Sequence, residues 1–246
     1  MKTIQLFILS IFVSGIVHGQ EIINIVLVGD KGVTEDIKET KYFIVIKAFP
    51  NSVFQRLEYK MHAPMQKLKT YSDSLLEVLN GDYYEYAGNG SLYIKGYYSN
   101  DLKDKSWYYY NDTGKVVQER KYDNGKLLQT INPDTIAKKP HDDKLKEVDA
   151  AYPGGDRAWI NYLQTQLLKS DAVDRSLSGG RVMVNFSIDT TGKVDRIYIS
   201  KSAELVLDEE ALRLMMESPN WKPAIQGDRH VRAYRRQPLT FIKEGD

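Results

Sequence analysis

An internal repeat with a period of about 24 residues is the feature that most constrains how this chain can fold. Thirteen of the 17 tyrosines fall within the segment 42–122. Moving the sequence along itself by one period places the run 83–86, Tyr-Tyr-Glu-Tyr, on the run 107–110, Trp-Tyr-Tyr-Tyr, and aligns Gly90 with Gly114. Aromatic side chains favour the pleated surface of a strand, and a short repeat indicates stacking of one supersecondary unit. The period therefore predicts a series of β-hairpins that form one extended sheet.

Each repeat contains a glycine where a tight turn would join two strands. The turns are predicted at Asn89-Gly90, Asp112-Thr113-Gly114 and Asn124-Gly125, since glycine tolerates the positive φ that such turns require. Residues 20–128 resemble the MORN-variant, antitoxin-like repeats of bacterial exported proteins, and this resemblance implies an N-terminal antiparallel sheet of hairpins. The tyrosines are expected either to pair across strands and stabilise a thin sheet, or to form a platform for a glycan or peptide.

The charge balance and the lack of cysteine exclude several functional classes. Lys and Arg total 34 against 33 for Asp and Glu, so no net field draws the chain to nucleic acid. The chain has no cysteine, which excludes disulfides, thiolate metal sites and cysteine nucleophiles. Its four histidines are scattered, without the spacing of a metal site or a catalytic motif. We therefore expect no enzymatic activity, no catalytic residues, no cofactor and no metal ion.

A polar segment separates the repeats from a second patterned region. Residues 129–151 include the mixed-charge run 138–144 and few apolar side chains. Such a composition cannot bury enough surface to fold alone. These residues are predicted to be a linker.

Residues 152–246 have the pattern of a small α+β domain. Asp156 is predicted to cap a helix whose apolar face includes Trp159. Apolar and polar residues alternate over 181–188, so this segment is predicted to be a strand with one buried face. The turn 189–192, Asp-Thr-Thr-Gly, then closes a hairpin with the next strand.

A second helix and a final strand complete this domain. Asp208 is predicted to cap the helix 208–217, because a carboxylate is favourable at a helix N-terminus. Trp221 is predicted to fill the core between that helix and the hairpin. The last strand, 231–241, contains Pro238, which has no N–H to donate and therefore belongs at a sheet edge or a bulge.

This order of elements and several short motifs resemble the C-terminal domain of TonB proteins. The motifs are Gly-Gly-Arg-Val, Asp-Thr-Thr-Gly-Lys-Val, Leu-Asp-Glu-Glu-Ala-Leu and Trp-Lys-Pro. The resemblance implies two helices against a three-stranded antiparallel sheet. It assigns structural roles to Tyr152, Pro153, Gly154, Gly155, Trp159, Gly180, Gly192, Asp208, Trp221 and Pro223.

Residues 1–19 have the pattern of a signal peptide. Lys2 precedes the apolar run 4–17, which is too short to span a bilayer comfortably. Export of a chain without cysteine suits a Gram-negative periplasm. The competing interpretation is an uncleaved inner-membrane anchor, because Ser14 and His18 have the spacing of the Ser–His pair that TonB anchors carry. Membrane contact is expected only under this second interpretation.

The final strand also carries the predicted partner-binding residues. It is rich in arginine, and no acidic residue occurs between Asp228 and Glu244. Basic side chains and proline on an edge strand can simply protect a monomer from aggregation. In TonB-like proteins, however, the last strand captures an extended receptor peptide, so the resemblance favours binding by strand addition. The residues assigned to this contact are Arg229, Arg232, Tyr234, Arg235 and Arg236.

The leading hypothesis is a non-enzymatic periplasmic protein-binding module of the TonB family. It would capture the N-terminal box of an outer-membrane receptor and thereby serve TonB-dependent transport. The alternative is a stand-alone exported scaffold or cell-envelope binding protein that is not coupled to an energised inner-membrane complex. A third hypothesis gives the repeats an antitoxin-like or structural role of their own. The expected partner is a protein or peptide and not nucleic acid, and a homodimer is compatible with each hypothesis.

Overall fold

The chain has an α+β fold, as predicted. The computed structural model describes residues 21–135 and 147–243. Two compact units are present; of the described residues, one contains 21–88 and 93–132, and the other contains 89–92, 133–135 and 147–243. The signal peptide or anchor expected over 1–19 lies outside the described residues.

The first unit is a long antiparallel sheet. Its strands are β1 (Glu21–Gly29), β2 (Gly32–Val33), β3 (Tyr42–Phe49), β4 (Val53–Lys60), β5 (Met65–Tyr71), β6 (Leu79–Tyr86), β7 (Leu92–Ser99), β8 (Leu102–Tyr110), β9 (Val116–Asp123) and β10 (Lys126–Ile131). They form one ten-stranded sheet with the order β10-β9-β8-β7-β6-β5-β4-β3-β1-β2. Because most neighbours in the sheet are also neighbours in sequence, the sheet extends one hairpin at a time.

The period of the sequence recurs in this sheet. β7 spans Leu92–Ser99 and β9 spans Val116–Asp123, so β9 begins and ends one repeat period after β7 does. β6 and β8 end at Tyr86 and Tyr110, which are separated by the same interval. The predicted succession of hairpins is therefore confirmed, whereas the resemblance of these hairpins to MORN-variant repeats stays a prediction.

Two turns at the same spacing explain how the strands reverse. Asn124 and Gly125 have φ of 45° and 84°, and Asn100 and Asp101 have φ of 46° and 66°. Two successive residues of positive φ are what a type I′ hairpin turn requires. The first pair was predicted from its glycine. The second was missed, although it lies one repeat period before the first, and Asn and Asp tolerate this conformation better than most residues.

A row of aromatic rings packs on one face of the sheet, with buried Trp107 at its centre. The ring centroids of Tyr83, Tyr98 and Tyr122 lie 5.4, 5.1 and 6.3 Å from that of Trp107. The Nζ atom of Lys103 lies 4.2 Å from the centroid of the same ring. Since the rings already contact one another and a cation, their arrangement favours cross-strand stabilisation over a ligand platform.

The second unit contains three helices and two small sheets within residues 147–243. The elements are β11 (Glu147–Val148), α1 (Gly155–Leu167), α2 (Ala172–Arg175), β12 (Gly180–Ile188), β13 (Val194–Lys201), α3 (Leu205–Met216), β14 (Ala224–Gln226), β15 (Arg229–Val231) and β16 (Ala233–Phe241). One antiparallel sheet has the order β13-β12-β16, and the other has the order β11-β14-β15.

The core of this unit lies between α3 and the sheet β13-β12-β16. The alternation predicted for β12 is observed as far as Phe186, since Val182, Val184 and Phe186 are buried; Ser187, which was expected on the polar face, is buried too. From α3, Leu207 and Leu214 are fully buried, and this helix packs against β12 and β13. One apolar strand face and one apolar helix face therefore cover each other.

The start of α3 differs from the prediction. The helix begins at Leu205, and Glu204, not Asp208, occupies its N-cap position. Asp208 is 0% exposed and accepts hydrogen bonds from the hydroxyl of Ser202 and, at 3.0 Å, from the backbone N–H of Ala203. Its carboxylate therefore satisfies polar groups of the loop that precedes the helix, instead of capping the helix itself.

The start of α1 also differs. The N-cap position is Gly154, with φ of 87°, and no side chain caps the helix there. Asp156, which was predicted to be the cap, lies in the first turn. There it still interacts favourably with the positive end of the helix dipole.

Both ends of the interval predicted as a linker, 129–151, belong to ordered elements. β10 continues to Ile131 and is followed by a 3-10 turn over Pro133–Thr135. At the other end, β11 begins at Glu147 and pairs with β14. A polar composition did not reveal these strands, because backbone pairing with a neighbouring strand orders polar residues too. The remaining residues, 136–146, lie outside the described ranges.

Candidate protein-binding edge

β16 is the edge strand of the sheet that it forms with β12 and β13. Its pairing with β12 runs without interruption from Ala233, opposite Ile188, to Phe241, opposite Gly180. Within residues 21–135 and 147–243, no strand pairs with the other side of β16. The edge position that Pro238 indicated is therefore observed.

The side chains of β16 alternate between two environments. Those directed towards the helices become increasingly buried along the strand; they are Ala233, Arg235, Gln237, Leu239 and Phe241. The side chains on the opposite face are exposed; they are Tyr234, Arg236, Pro238 and Thr240. Tyr234 is 72% exposed, which is unusual for a large aromatic residue in a strand.

The inward side chains hold the strand to the rest of the unit. Gln237 accepts a hydrogen bond from the indole N–H of Trp159 at 2.8 Å. Arg235 donates to the backbone carbonyl of Ala150, and its guanidinium carbon lies 6.0 Å from the ring centroid of Trp221. Arg235, which was assigned to partner binding, thus has a structural role within the domain. Arg235 therefore lies outside the candidate surface.

Arg232 is also engaged within the domain. It precedes β16, forms an ion pair with Asp195, and donates to the hydroxyl of Ser187 at 2.7 Å. Hydrogen bonding from Arg232 lowers the pKa of the Asp195 carboxyl, and burial, which opposes this change, is the weaker influence. The pKa of Arg232 is raised by the same hydrogen bond. A partner's carboxylate would therefore have to compete with Asp195 for this guanidinium.

The other three assigned residues are exposed, but they do not share one strand. Arg229 lies in β15, the edge of the smaller sheet. Tyr234 and Arg236 lie on the outward face of β16. Arg181 was missed as a neighbour of this face. Arg181 is opposite Thr240 in the register and is exposed. The alternation of apolar and polar residues along 181–188 could have predicted its outward orientation.

Three of the positions with assigned structural roles, Tyr152, Trp159 and Trp221, form an aromatic cluster. The ring centroids of Tyr152 and Trp159 lie 5.5 and 5.0 Å from that of Trp221. Trp221 is buried, as predicted, and its backbone N–H donates to the carbonyl of Gly192 at 2.7 Å. This aromatic cluster lies beneath the inward side chains of β16, so it holds the strand in place without contacting the outward face.

Residues 171–242 match the family model described as Gram-negative bacterial TonB protein C-terminal. These residues belong to the TonB C-terminal family. The match extends from just before α2 to just after β16, and it confirms the resemblance inferred from the motifs. No curated protein and no solved structure matches the chain.

The TonB C-terminal domain is a protein-interaction module, and its family acts in the bacterial envelope. The match supports a protein as the partner of this domain. In the described part of the chain, no helix is long and apolar enough to cross a membrane. The same residues contain no group of three or more His, Asp and Glu side chains that could hold a metal ion.

Proposed function

We propose that the TonB C-terminal domain binds an extended peptide of a protein partner along the free edge of β16, in the periplasm and without catalysis. The observation that carries this proposal is the edge position of β16 within the described residues. A peptide that adds a strand to such an edge forms backbone hydrogen bonds without any change in the fold.

The position of Pro238 indicates which backbone groups would meet the peptide. A strand directs the N–H and C=O groups of alternate residues to its two sides, and proline is tolerated where its nitrogen faces away from the sheet. Pro238 lies opposite Met183. Residues 234, 236 and 240 have the same parity as Pro238, so their N–H groups would also face the open edge. A peptide that pairs near residues 234–236 therefore avoids the missing donor.

The exposed side chains indicate the chemistry of the peptide. Arg236 is exposed on the outward face, beside Tyr234, and Arg181 lies on the same face. Guanidinium groups bind carboxylates through charge-assisted hydrogen bonds. The partner peptide is thus expected to be extended and acidic, with an apolar or aromatic residue to cover Tyr234.

The finer proposal is that this peptide is the N-terminal segment of an outer-membrane receptor and that the domain serves TonB-dependent transport. It is supported by the family of residues 171–242 and by the free edge. The alternative, a stand-alone envelope binding protein, uses the same edge for another partner. The identity of the captured peptide distinguishes the two.

A photoreactive residue in place of Tyr234, followed by identification of the crosslinked peptide, tests the proposal. We expect capture of an acidic segment, and an outer-membrane receptor as its source supports the transport role. Arg236→Glu should weaken binding of this peptide about tenfold or more, since it replaces attraction with repulsion. Arg229→Glu is the matched control and should leave affinity within about twofold. Equal binding by the wild type and Arg236→Glu would overturn the proposed surface.

A further inference from the structure

The hairpin array of the first unit ends in a strand whose outer edge is only lightly protected. β10 is the terminal strand of the ten-stranded sheet, and five of its six residues are exposed. Leu127 and Leu128 are 48% and 59% exposed. Natural edge strands are protected by charged side chains, proline, β-bulges or very short length. β10 carries a single charge, at Lys126, no proline, and one irregularity of register with β9 between Leu127 and Gln129.

The repeat period explains why the outer edge of β10 has no neighbouring strand among the described residues. β10 begins at Lys126, one repeat period after β8 begins at Leu102. It therefore takes the place of the first strand of a further repeat. In the earlier repeats that strand is followed by a second, antiparallel one, β7 after β6 and β9 after β8. After β10 comes Pro133, which begins a 3-10 turn, and within residues 21–135 and 147–243 no second strand follows it in this sheet.

We propose that β10 is a self-association surface, through which two copies of this chain pair their β10 strands antiparallel about a two-fold axis. A two-fold axis perpendicular to the sheet places each β10 antiparallel to the other. This is the relation that the paired strands of the sheet already have. The sheet would continue from one copy into the next.

Charge is compatible with a second copy as the occupant. The only charged residue of β10 is at its first position, Lys126. Antiparallel pairing places the two lysines at opposite ends of the paired strands, about 17 Å apart at about 3.4 Å per residue. That distance exceeds the Debye length of about 8 Å at physiological salt, so the two charges scarcely repel each other.

A head-to-tail contact between β10 and β1 is disfavoured by the direction of the strands. Neighbouring strands alternate in direction along the order from β10 to β1, so β1 and β10 run parallel. Repeating the unit by translation would pair them in parallel, unlike the antiparallel pairs within the sheet. β1 is also partly covered, because Val28 and Gly29 pair with β2.

The size of the contact predicts a weak, reversible dimer. One added strand as short as β10 buries less than the roughly 1,600 Å² of a standard interface. The exposed leucines contribute apolar area, but the dissociation constant is expected on the order of 10 to 100 μM. Sedimentation of the full chain between about 1 and 500 μM should therefore show a monomer that converts to a dimer.

Two variants locate the contact. Leu128→Lys places like charges near the axis and should shift the monomer–dimer transition to at least about tenfold higher concentration. Arg236→Glu alters the edge of β16 and should leave the transition unchanged. A chain that stays monomeric throughout this range overturns the proposal, and so does a dimer that responds to Arg236→Glu and not to Leu128→Lys.

Crosslinking gives a readout that does not depend on loss of the dimer. Because the chain contains no cysteine, a single introduced thiol can form a disulfide only between copies. Gln129→Cys should give a covalent dimer under mild oxidation, whereas Arg236→Cys should give little. Preferential crosslinking through Arg236→Cys would contradict pairing through β10. Circular dichroism of each variant confirms that the sheet is intact.

Discussion

The backbone N–H of Trp221 donates a hydrogen bond of 2.7 Å to the carbonyl of Gly192. This contact joins the turn between β12 and β13 to the segment that follows α3. Gly192 has φ of 90°, and a Cβ atom there would overlap with the carbonyl oxygen of Trp221. The close approach of the two backbones explains why glycine stands in this turn.

Gly192→Ala should therefore destabilise the second unit by about 3 kcal/mol or more, through backbone strain and steric overlap together. Gly155→Ala is the matched control. Gly155 has φ of 77°, but no atom lies within 4 Å of its added Cβ, so only the strain of about 1–2 kcal/mol applies. Denaturant unfolding of both variants measures the difference. Equal losses would show that the contact with Trp221 is unimportant.

In the first unit, Gly96→Ala should disturb the packing of Trp107. The indole ring lies against Gly96, so closely that a Cβ atom would overlap with it. Displacing a buried ring costs about 1–3 kcal/mol. Gly88→Ala, at a site with no atom within 4 Å, should change the free energy of unfolding by less than about 0.5 kcal/mol. Near-ultraviolet circular dichroism should report loss of the ordered indole environment in Gly96→Ala alone.

Asp208→Ala should destabilise the second unit by about 3 kcal/mol, because it leaves the hydroxyl of Ser202 and the N–H of Ala203 without their buried acceptor. Asp208→Asn retains an acceptor oxygen and should cost less. The exposed Asp156 of α1 provides the control, since Asp156→Ala should cost about 1 kcal/mol or less. Chemical denaturation would contradict this role of Asp208 if both alanine variants lost similar stability.

The ion pair of Asp195 with Arg232 should make stability depend on acidic pH. Hydrogen bonding from Arg232 lowers the folded-state pKa of Asp195. The resulting stabilisation is present above the unfolded-state pKa, about 4, and is lost as pH falls through the folded-state value. Arg232→Gln should raise the pKa of Asp195, as carboxyl chemical shifts would report, and should reduce the acid-dependent loss of stability. Arg236→Gln should leave this pKa unchanged, and an equal effect of the two variants would argue against the ion pair.

Local patterns predicted the elements of this protein well. The repeat period placed the hairpins of the first unit, because turn glycines and aromatic strand residues act within a few positions of one another. Alternation placed β12, and Pro238 indicated the edge position of β16. The predicted start of α3 was wrong, because Asp208 has the residue type of a cap and only its burial shows that it serves the preceding loop.

The sequence did not predict which arginines of the candidate edge are available to a partner. Five residues of similar character were assigned to one contact, yet Arg235 is directed into the domain and Arg232 is paired with Asp195. Their neighbours in space, Ala150 and Asp195, are 85 and 37 positions away in the sequence. No local pattern distinguishes these arginines from Arg236.

The amino-acid sequence by itself determined the hairpin period, the α+β order of the second unit and its family, because these depend on residues close together along the chain. The tertiary structure alone decided which side chains remain for a partner. A guanidinium that binds a carboxylate or carbonyl within its own domain is not available to bind a carboxylate of a partner. Which arginines are bound in this way depends on how strands that are distant in sequence pack together.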